Sequence, residues 1–541
     1  MAAMSHKSWA LLAAILGSGI VFLDSSVVVV AQKAIGEDLP SSFFARLEAL
    51  NYVYYGYLLT LSALLVLAGA LNDFYGRRRV FALGLAGFGA TSALCGLAPN
   101  MELLIVARMA QGAAGALLVP GSLSILTATF EGEERSRAFG IWAGASGVAA
   151  VVGPIVGGLL VNIASWRLVF LINVPLVAMA LWATWRHLRE SRDEHASGAF
   201  DWLGAAVVAL AVGGLSFGVI RGQSRDWRDP LAFAALAVGA ACAIALPLLM
   251  ARRPHPLVPL ELFRSRNFSV TNLSTLLIYG ALYVQLQYQA LFLIGVLGYD
   301  EVAYTLATLP SSACLVFGST WFGRLAARHG PRRFMAAGPA IMALGILWFA
   351  RFPRESGAWP LRAPLERLLS GEPGASLAAA APPLGFWIDF LPGSLLFGIG
   401  LMVMVAPLTT ALMTSVPVRN SGVASAVNNA VSRVGPQLVG AVVFVAITAT
   451  FYGQLAARLP GVDVTRPEVR ASLPPMSPPA PGVAPDEARA ARDASTDAFR
   501  LAMVIAAGFL AAGALVNAVG IRDQATPVED VGASPSPSSG S

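Results

Sequence analysis

A single acidic side chain lies inside the first long apolar segment of the chain. Residues 19–32 read GIVFLDSSVVVVAQ, and the sixth of them is Asp24. A charge inside a membrane is costly, so it tends to pair with another charge or to face a water-filled cavity, and it marks ion or substrate pathways. The chemistry open to such a carboxylate is to bind and release a proton. Its candidate partner is Arg108, an arginine within the apolar segment 102–126.

Asp24 and Arg108 are expected at similar depth in a membrane. Asp24 follows Trp9 by fifteen positions, which is about 22 Å along a helix. The segment of Arg108 runs the opposite way and places the arginine roughly 9 Å below the other surface. Charge pairing and loss of water act in opposite directions on the ionisation of a carboxyl group. A conformational change that alters the pairing could therefore load or release a proton; the alternative is a static structural ion pair.

The elements that must position this pair are membrane-spanning helices. The chain has 541 residues, of which 56% are hydrophobic and 13% charged, about half the charged content of a soluble domain. A bilayer core needs about 20 apolar residues per helix, and the runs are continuous rather than alternating, which excludes strands. We therefore predict an all-α polytopic membrane protein with fourteen spans, at approximately 9–31, 47–71, 79–98, 102–126, 138–162, 167–186, 201–220, 230–250, 267–294, 302–326, 334–350, 387–412, 422–450 and 498–520.

The distribution of basic residues predicts the orientation of these spans. Eighteen Lys and Arg residues fall on the side of the N-terminus and six in the short loops of the other side. The long loops 351–386 and 451–497 are set aside because long loops follow the positive-inside rule poorly. We expect a multi-pass protein of the inner (plasma) membrane with both termini in the cytoplasm. The tail 521–541 is expected to be disordered.

Two motifs recur in the two parts of the chain. GALNDFYGRRR at 69–79 matches GRLAARHGPRR at 323–333, and GPIVGG at 153–158 matches GPQLVG at 435–440. Spans 2 and 10, and spans 5 and 13, therefore correspond. This predicts an N-terminal six-helix half (1–190), two additional helices (191–255) and a C-terminal six-helix half (256–520). Duplicated halves around a central cavity are typical of secondary transporters.

These motifs resemble the major facilitator superfamily, and specifically its 14-spanner drug:proton antiporter family. GALNDFYGRRRV resembles the loop 2–3 motif, RMAQGAAGALLVPG (108–121) the span-4 motif, and GPIVGG the antiporter motif of span 5. SWRLVFLINVP (165–175) and PLVPLELFRSRNF (256–268) are similar to signatures of the 14-spanners. The resemblance implies the major facilitator fold. The chain departs from the pattern at Val29, where an Asn is usual, and at Ala327, which replaces the acid in the second copy of the loop motif.

The loop motif is the candidate conformational latch. Gly69 and Gly76 permit a tight turn, Asp73 can lie at a helix N-terminus, and Arg77 and Arg78 can bind carboxylates or helix C-terminal carbonyl groups. The resemblance implies that this loop bridges the halves in one access state. Topology alone would explain the arginines but not the acid and the glycines.

Small residues mark span 5. Gly153, Pro154, Gly157 and Gly158 combine a kink with a close-packing surface. The resemblance implies a seam that prevents leak in antiporters, and ordinary helix packing is the alternative.

Candidate cargo contacts are polar residues in the second half. Gln285 and Gln289 share a helical face, while Asn428 and Arg433 fall near mid-membrane. For each, cargo contact and helix packing both stay open. The tyrosines that open span 2 are expected mainly to pack; they are Tyr52, Tyr54, Tyr55 and Tyr57.

The function predicted from these residues is proton-coupled antiport that exports amphipathic small molecules by alternating access. The partners expected are lipophilic cargo, protons and membrane lipid. The chain contains no GxxxxGK[ST] motif and no catalytic constellation, so we expect no enzyme activity, cofactor, metal, nucleotide or nucleic acid. The alternatives are an exporter dedicated to one metabolite or lipid and, from another class, a non-transporting membrane sensor, which would need a cytoplasmic partner domain.

The arginine distribution makes the topology testable with reporter fusions. Fusions at Arg78, Arg192 and Ser541 are expected to report the cytoplasm, and a fusion within 460–490 the outside. A cytoplasmic signal from 460–490 would contradict the count of fourteen spans.

Overall fold

The computed structural model describes residues 5–41, 46–163, 165–192, 200–224, 227–354, 356–370, 380–480 and 482–523. Within these ranges the regular structure is entirely helical, as predicted, and contains no strand. Residues 524–541, which make up nearly all of the tail expected to be disordered, lie outside the described residues.

The first part of the chain forms ten helices. They are α1 (His6–Asp38), α2 (Arg46–Tyr75), α3 (Arg77–Gly96), α4 (Met101–Ala116), α5 (Leu118–Thr129), α6 (Gly132–Ile163), α7 (Leu168–Leu171), α8 (Asn173–His187), α9 (Trp202–Ser224) and α10 (Pro230–Ala251). The fourth predicted span is divided into α4 and α5 at Leu117, and the sixth into α7 and α8 at Ile172. The two additional helices of the prediction are α9 and α10.

The second part of the chain forms eight helices. They are α11 (Arg266–Gly295), α12 (Glu301–His329), α13 (Arg332–Phe349), α14 (Arg362–Leu369), α15 (Leu391–Thr414), α16 (Ser421–Arg458), α17 (Pro467–Ser472) and α18 (Pro485–Gly520). A π-helical turn, Phe386–Phe390, leads into α15. Side-chain caps start several helices, because the first backbone N–H groups lack partners within the helix. Asn100 accepts from Leu103 N (2.9 Å) before α4, and Asp300 accepts from Ala303 N (2.8 Å) before α12.

Each of the fourteen predicted spans coincides with a long helix or a pair of short ones. Among the described residues, twelve of these fourteen positions hold helices that are long and apolar enough to cross a membrane. The other two positions, spans 5 and 11, hold α6 and α13. Several helices run past the predicted limits, because polar residues continue the helix beyond the apolar core: α16 extends to Arg458 and α18 begins at Pro485. Much of the expected outer loop 451–497 is therefore helical.

Four apolar clusters form the core. One lies within the second half, around Phe292, Phe349 and Phe499, and two lie within the first half. The fourth contains residues of both halves, such as Phe139 and Val423. It lies at the end of the bundle where α2 ends and α3 and α13 begin, which we call the arginine-rich end. The opposite end is called the loop end. The halves are packed together at the arginine-rich end.

Two helix crossings join the halves there, and both are made by glycines. α2 crosses α16 where a Cβ on Gly69 would collide with the backbone carbonyl of Gly422. α6 crosses α12 where a Cβ on Gly140 would lie 2.8 Å from the Cα of Thr320, with Gly323 adjacent. Gly69 and Gly323 hold the same position in the repeated loop motif, so the two crossings are related by the internal repeat. Small residues allow this close approach of backbones.

The glycine crossing of α2 and α16 predicts the effect of a side chain at Gly69. Gly69→Leu should hold the halves apart at the arginine-rich end, because the leucine has to occupy the space of Gly422 and Ala426. We expect a longer distance between spin labels at Arg79 and Arg333, measured by double electron–electron resonance on a cysteine-free background. Gly508→Leu is the matched control, because a Cβ there meets nothing within 4 Å. An unchanged distance in Gly69→Leu would show that the crossing does not need glycine.

Candidate functional site

Asp24 and Arg108 form an ion pair inside the first half. Arg108 Nη1 lies 2.5 Å from Asp24 Oδ2, and both side chains are 0% exposed. Arg108 also donates to Gln111 Oε1 (2.6 Å) and, through Nε, to the Val53 carbonyl (3.2 Å). α1 and α4 therefore place the two charges at the same depth, as their spacing along the spans predicts.

Two amides complete the surroundings of the carboxylate. Gln111 Nε2 (3.1 Å) and Asn173 Nδ2 (3.0 Å) both donate to Asp24 Oδ1. The same two nitrogens donate to Ser92 Oγ, at 2.9 and 3.0 Å. Asp24 thus accepts bonds from one guanidinium and two amides, carried by α4 and α8. Hydrogen bonds to an ionised carboxylate are among the strongest that side chains make.

Aromatic rings enclose the guanidinium, and two polar atoms beside it have no partner. Arg108 Cζ lies 4.1 Å from the centroid of the Tyr57 ring and 5.5 Å from that of Phe170. Arg108 Nη2 and Asn173 Oδ1 are buried without a hydrogen bond. A buried polar network that is not fully satisfied is expensive and is a natural place for rearrangement.

Sequence reasoning missed Ser92, Gln111 and Asn173 as members of this site. For two of them the sequence contains a feature from which a polar role could have been predicted. Gln111 follows Arg108 by three positions and so shares its helical face, and Asn173 is a lone amide within the apolar stretch LVFLINVP. Their common contact with Asp24 depends on how α1, α4 and α8 pack.

The glycines of span 5 face the helix that carries Asp24. A Cβ on Gly153 would collide with Ser26 Oγ and lie 3.1 Å from the Leu23 carbonyl, and a Cβ on Gly157 would lie 2.5 Å from Val27 Cγ2. Gly158 has Val30 as its neighbour at 3.7 Å. The side chain of Pro154 lies outside the described part of the chain. The small-residue face of α6 is therefore a seam against α1, within three residues of Asp24.

An ion pair at the loop end joins α1, which carries Asp24, to the start of span 6, which carries Asn173. Asp38, at the end of α1, accepts from Arg167 Nη1 (2.5 Å) and from Trp166 Nε1 (2.9 Å) just before α7. The hydrogen bond from Arg167, with that from Trp166, lowers the pKa of the Asp38 carboxyl. α1 is thus fixed to the start of span 6 at its far end, while its middle carries the buried pair.

The end of α2 and the start of α3 bind the second half through Asp73 and Arg77. Asp73 Oδ2 accepts from Val423 N (3.0 Å), at the start of α16. Arg77 Nη2 donates to Asp73 Oδ1 (3.1 Å) and to the Val418 carbonyl (2.6 Å). Asp73 is 6% and Arg77 3% exposed. A carboxylate at a helix N-terminus meets free N–H groups and the positive end of the dipole.

Gly76 and Arg78 belong to a different contact, within the first half. Gly76 has φ +109°, and a Cβ there would meet the Glu190 carboxylate. Glu190 accepts from the backbone N–H groups of Arg78 (3.0 Å) and Arg79 (3.2 Å), and Arg78 Nη2 donates to the Trp185 carbonyl (2.8 Å). A carboxylate after span 6 thus caps α3.

The second half repeats this arrangement with different residues. Gly330 has φ +81° and lies against the Asp523 carboxylate. Arg332 N donates to Asp523 Oδ1 (3.0 Å), and Arg332 Nε donates to the Ala518 carbonyl (2.7 Å). Gly330 and Arg332 are the repeat partners of Gly76 and Arg78. Neither Glu190 nor Asp523 was predicted as part of the loop contacts, because each lies more than a hundred residues from its partner in the chain.

The four candidate cargo residues fall into two groups. Gln285 and Gln289 are buried and bonded to each other (2.7 Å), and Asn428 donates to Thr275 Oγ1 (2.9 Å), joining α16 to α11. The side chains of these three residues are buried in the packing of the helices. Arg433 is half-buried, and no hydrogen bond or ion pair of its side chain is present among the described residues.

The long apolar helices described above form the fold of a multi-pass membrane protein. A family model described as Major Facilitator Superfamily matches residues 14–441. The chain therefore belongs to the Major Facilitator Superfamily and is a multi-pass membrane transporter, not an enzyme.

Similar proteins agree with this assignment. The chain is 31% identical over 455 residues to the Multidrug resistance protein Stp of Mycobacterium tuberculosis, covering 83% of this chain and 78% of that protein. It is 31% identical to the Tetracenomycin C resistance and export protein of Streptomyces glaucescens, covering 80% and 74%. Among solved structures, the human organic anion transporter MFSD10 (TETRAN) matches with a TM-score of 0.58 at 13% identity, covering 94% of this chain and 99% of that chain. This structural likeness confirms the fold.

The contacts of Asp73 predict the effect of removing its charge. Asp73→Asn should weaken closure of the arginine-rich end, because hydrogen bonds to a charged group contribute about 1.5–3 kcal/mol. We expect a lower melting temperature of the purified protein and reduced transport at normal expression. Glu133→Gln is the control, because the pair of Glu133 with Arg328 (3.1 Å) is exposed and exposed pairs stabilise little. If both variants behave like the wild type, the loop has only a topological role.

Proposed function

We propose that this protein is a proton-coupled antiporter that exports amphipathic small molecules from the cytoplasm by alternating access. The observation that carries the proposal is the fully buried Asp24–Arg108 pair in a chain whose relatives are named for drug resistance and export. Proton entry would supply the energy, with Asp24 as the proton-binding group and Arg108 as its modulator.

A buried ion pair can convert protonation into movement. When Asp24 takes up a proton, Arg108 loses its counter-charge in a site that holds no described alternative acid. An uncompensated buried charge costs about 3–5 kcal/mol, so the protonated protein favours a conformation that gives Arg108 water or another partner. The unpartnered Arg108 Nη2 and Asn173 Oδ1 offer hydrogen-bonding capacity for that rearrangement.

The helix contacts provide a route by which the movement would reach the arginine-rich end. α1 carries Asp24 and rests on the glycine seam of α6, and α6 crosses into the second half through Gly140. A shift of α1 on α6 would therefore change the crossing of α6 with α12 at the arginine-rich end. Asp73 and Arg77 hold the other crossing shut until the charge state of Asp24 changes.

The orientation follows from the basic residues. We propose that the arginine-rich end and both termini are cytoplasmic and that the protein lies in the inner (plasma) membrane, because positively charged residues accumulate on that side. With the halves packed at the arginine-rich end, the described conformation would face outward. It is the state in which cargo leaves and a proton enters.

A second candidate is an exporter dedicated to one compound. It is supported by relatives named for a single compound, such as the Tetracenomycin C resistance and export protein of Streptomyces glaucescens and the Probable actinorhodin transporter of Streptomyces coelicolor. Growth-inhibition profiles of cells with and without this protein separate the two. Protection against many unrelated compounds supports multidrug export, and protection against one supports the dedicated exporter.

Proton coupling predicts a specific loss in Asp24→Asn. The amide keeps the shape and much of the hydrogen bonding of Asp24 but cannot carry the proton. We expect the variant to fold and to exchange cargo downhill, but to lose uphill export driven by a proton gradient. The measurement is dye transport in reconstituted vesicles at matched protein amounts, with a dye that the wild type moves.

Two further variants separate coupling from a static ion pair. Under coupling, Arg108→Ala also loses uphill transport, and Asp24→Asn with Arg108→Ala does not restore it. A static pair predicts unstable single variants and a recovered double variant, because the double variant leaves no unpaired charge. Full uphill activity in Asp24→Asn would place the proton site elsewhere.

A further inference from the structure

Arg433 is a charged side chain on α16, a helix that packs against α2 of the other half. Away from the ends of the spans predicted from the sequence, the described residues carry three charged side chains: Asp24, Arg108 and Arg433. The first two neutralise each other and are fully buried. Arg433 is half-buried in the middle of α16 and has no bonded partner among the described residues. The accessible charge at this depth is therefore positive.

Tyrosines from both halves lie near enough to this arginine to feel its charge. Arg433 is within electrostatic range of Tyr54 on α2 and Tyr279 on α11, and Tyr54 is within range of Tyr283. The rings of Tyr279 and Tyr283 are 6.4 Å apart. Tyr54 and Tyr279 are half-buried, and Tyr283 is 40% exposed. Tyr54 belongs to the first half and the other three residues to the second; we call these four residues the tyrosine–arginine site.

Amides extend the site along α16. Asn429 and Gln437 lie four positions before and after Arg433, and residues at this spacing share a helical face. Asn429 Nδ2 donates a hydrogen bond to the Ser425 carbonyl (2.9 Å). Gln437 Oε1 is buried without a partner. The face of α16 that carries Arg433 therefore has hydrogen-bonding capacity that the protein itself does not use.

We propose that the tyrosine–arginine site binds anionic aromatic small molecules, so that aromatic acids rather than lipophilic cations are the preferred cargo. A guanidinium binds a carboxylate or sulfonate through two parallel hydrogen bonds. Tyrosine rings supply apolar surface and edge or stacking contacts for a cargo ring. A cationic cargo would meet an unneutralised charge in a medium of low dielectric constant, where repulsion is strong. The cargo assignment rests on the proposed export function, but binding to the site does not.

The test uses two dyes with the same xanthene ring system and opposite charge, fluorescein and rhodamine 123. Binding to the purified full chain in lipid nanodiscs, without a proton gradient, is measured by fluorescence anisotropy at pH 7.5. The wild type should bind fluorescein about tenfold more tightly than rhodamine 123. Arg433→Gln should weaken fluorescein binding by about tenfold, the scale of one charge-assisted contact, and leave rhodamine 123 binding unchanged or stronger.

A charge-reversal variant of Arg433 and a control variant of a distant arginine complete the test. Arg433→Glu should reverse the order of the two dyes, a result that a mere loss of structure cannot give. Arg324→Gln is the control, since Arg324 is exposed near the arginine-rich end of α12, and it should change neither affinity. Tighter rhodamine 123 binding by the wild type, unchanged fluorescein binding in Arg433→Gln, or an equal loss in Arg324→Gln would overturn the proposal. Fluorescein binding without uphill transport by the wild type would contradict the export function alone.

Discussion

The structure depends on the cost of holding charge away from water. Asp24 and Arg108 are tolerated inside the bundle because they neutralise each other at 2.5 Å and because Gln111 and Asn173 satisfy the second carboxylate oxygen. A buried pair of this kind gives little net stability, while the loss of one partner is strongly unfavourable. In the proposed mechanism, protonation of Asp24 removes the counter-charge of Arg108 and so changes the energy of the pair by several kcal/mol.

Close helix contacts through glycine connect the helix that carries Asp24 with the contacts between the halves. α1 rests on Gly153 and Gly157 of α6, and the halves meet through Gly69 and Gly140. Contacts between small residues involve few interlocking side chains, so one helix can slide on another at low cost. The large interlocked clusters, in contrast, lie mainly within each half. Three of the four apolar clusters thus lie within one half, and the fourth joins the halves at the arginine-rich end.

Much of this architecture could be predicted from sequence because its signals are local or repeated. Apolar runs predicted the helices, and counting residues predicted that Asp24 and Arg108 lie at one depth, where the structure pairs them. The helix face on which a polar residue lies does not tell whether that face meets cargo or another helix. Gln285 and Gln289 bond each other, and among the tyrosines of span 2 Tyr57 is fully buried while Tyr54 is half-buried. Contacts such as Glu190 with the loop need the tertiary fold.

The internal repeat also shows where the halves differ. The crossing of α2 and α16 is reinforced by buried Asp73 and Arg77, whereas Ala327 holds the position of Asp73 in the repeat. At the crossing of α6 and α12, the charged contact is the exposed pair Arg328–Glu133, which stabilises little, beside one hydrogen bond from Ser319 to the Gly140 carbonyl (3.2 Å). Opening the α2–α16 crossing must therefore separate buried charged groups, whereas the charged pair at the α6–α12 crossing is already exposed. This asymmetry supports the proposal that Asp73 and Arg77 hold the α2–α16 crossing closed.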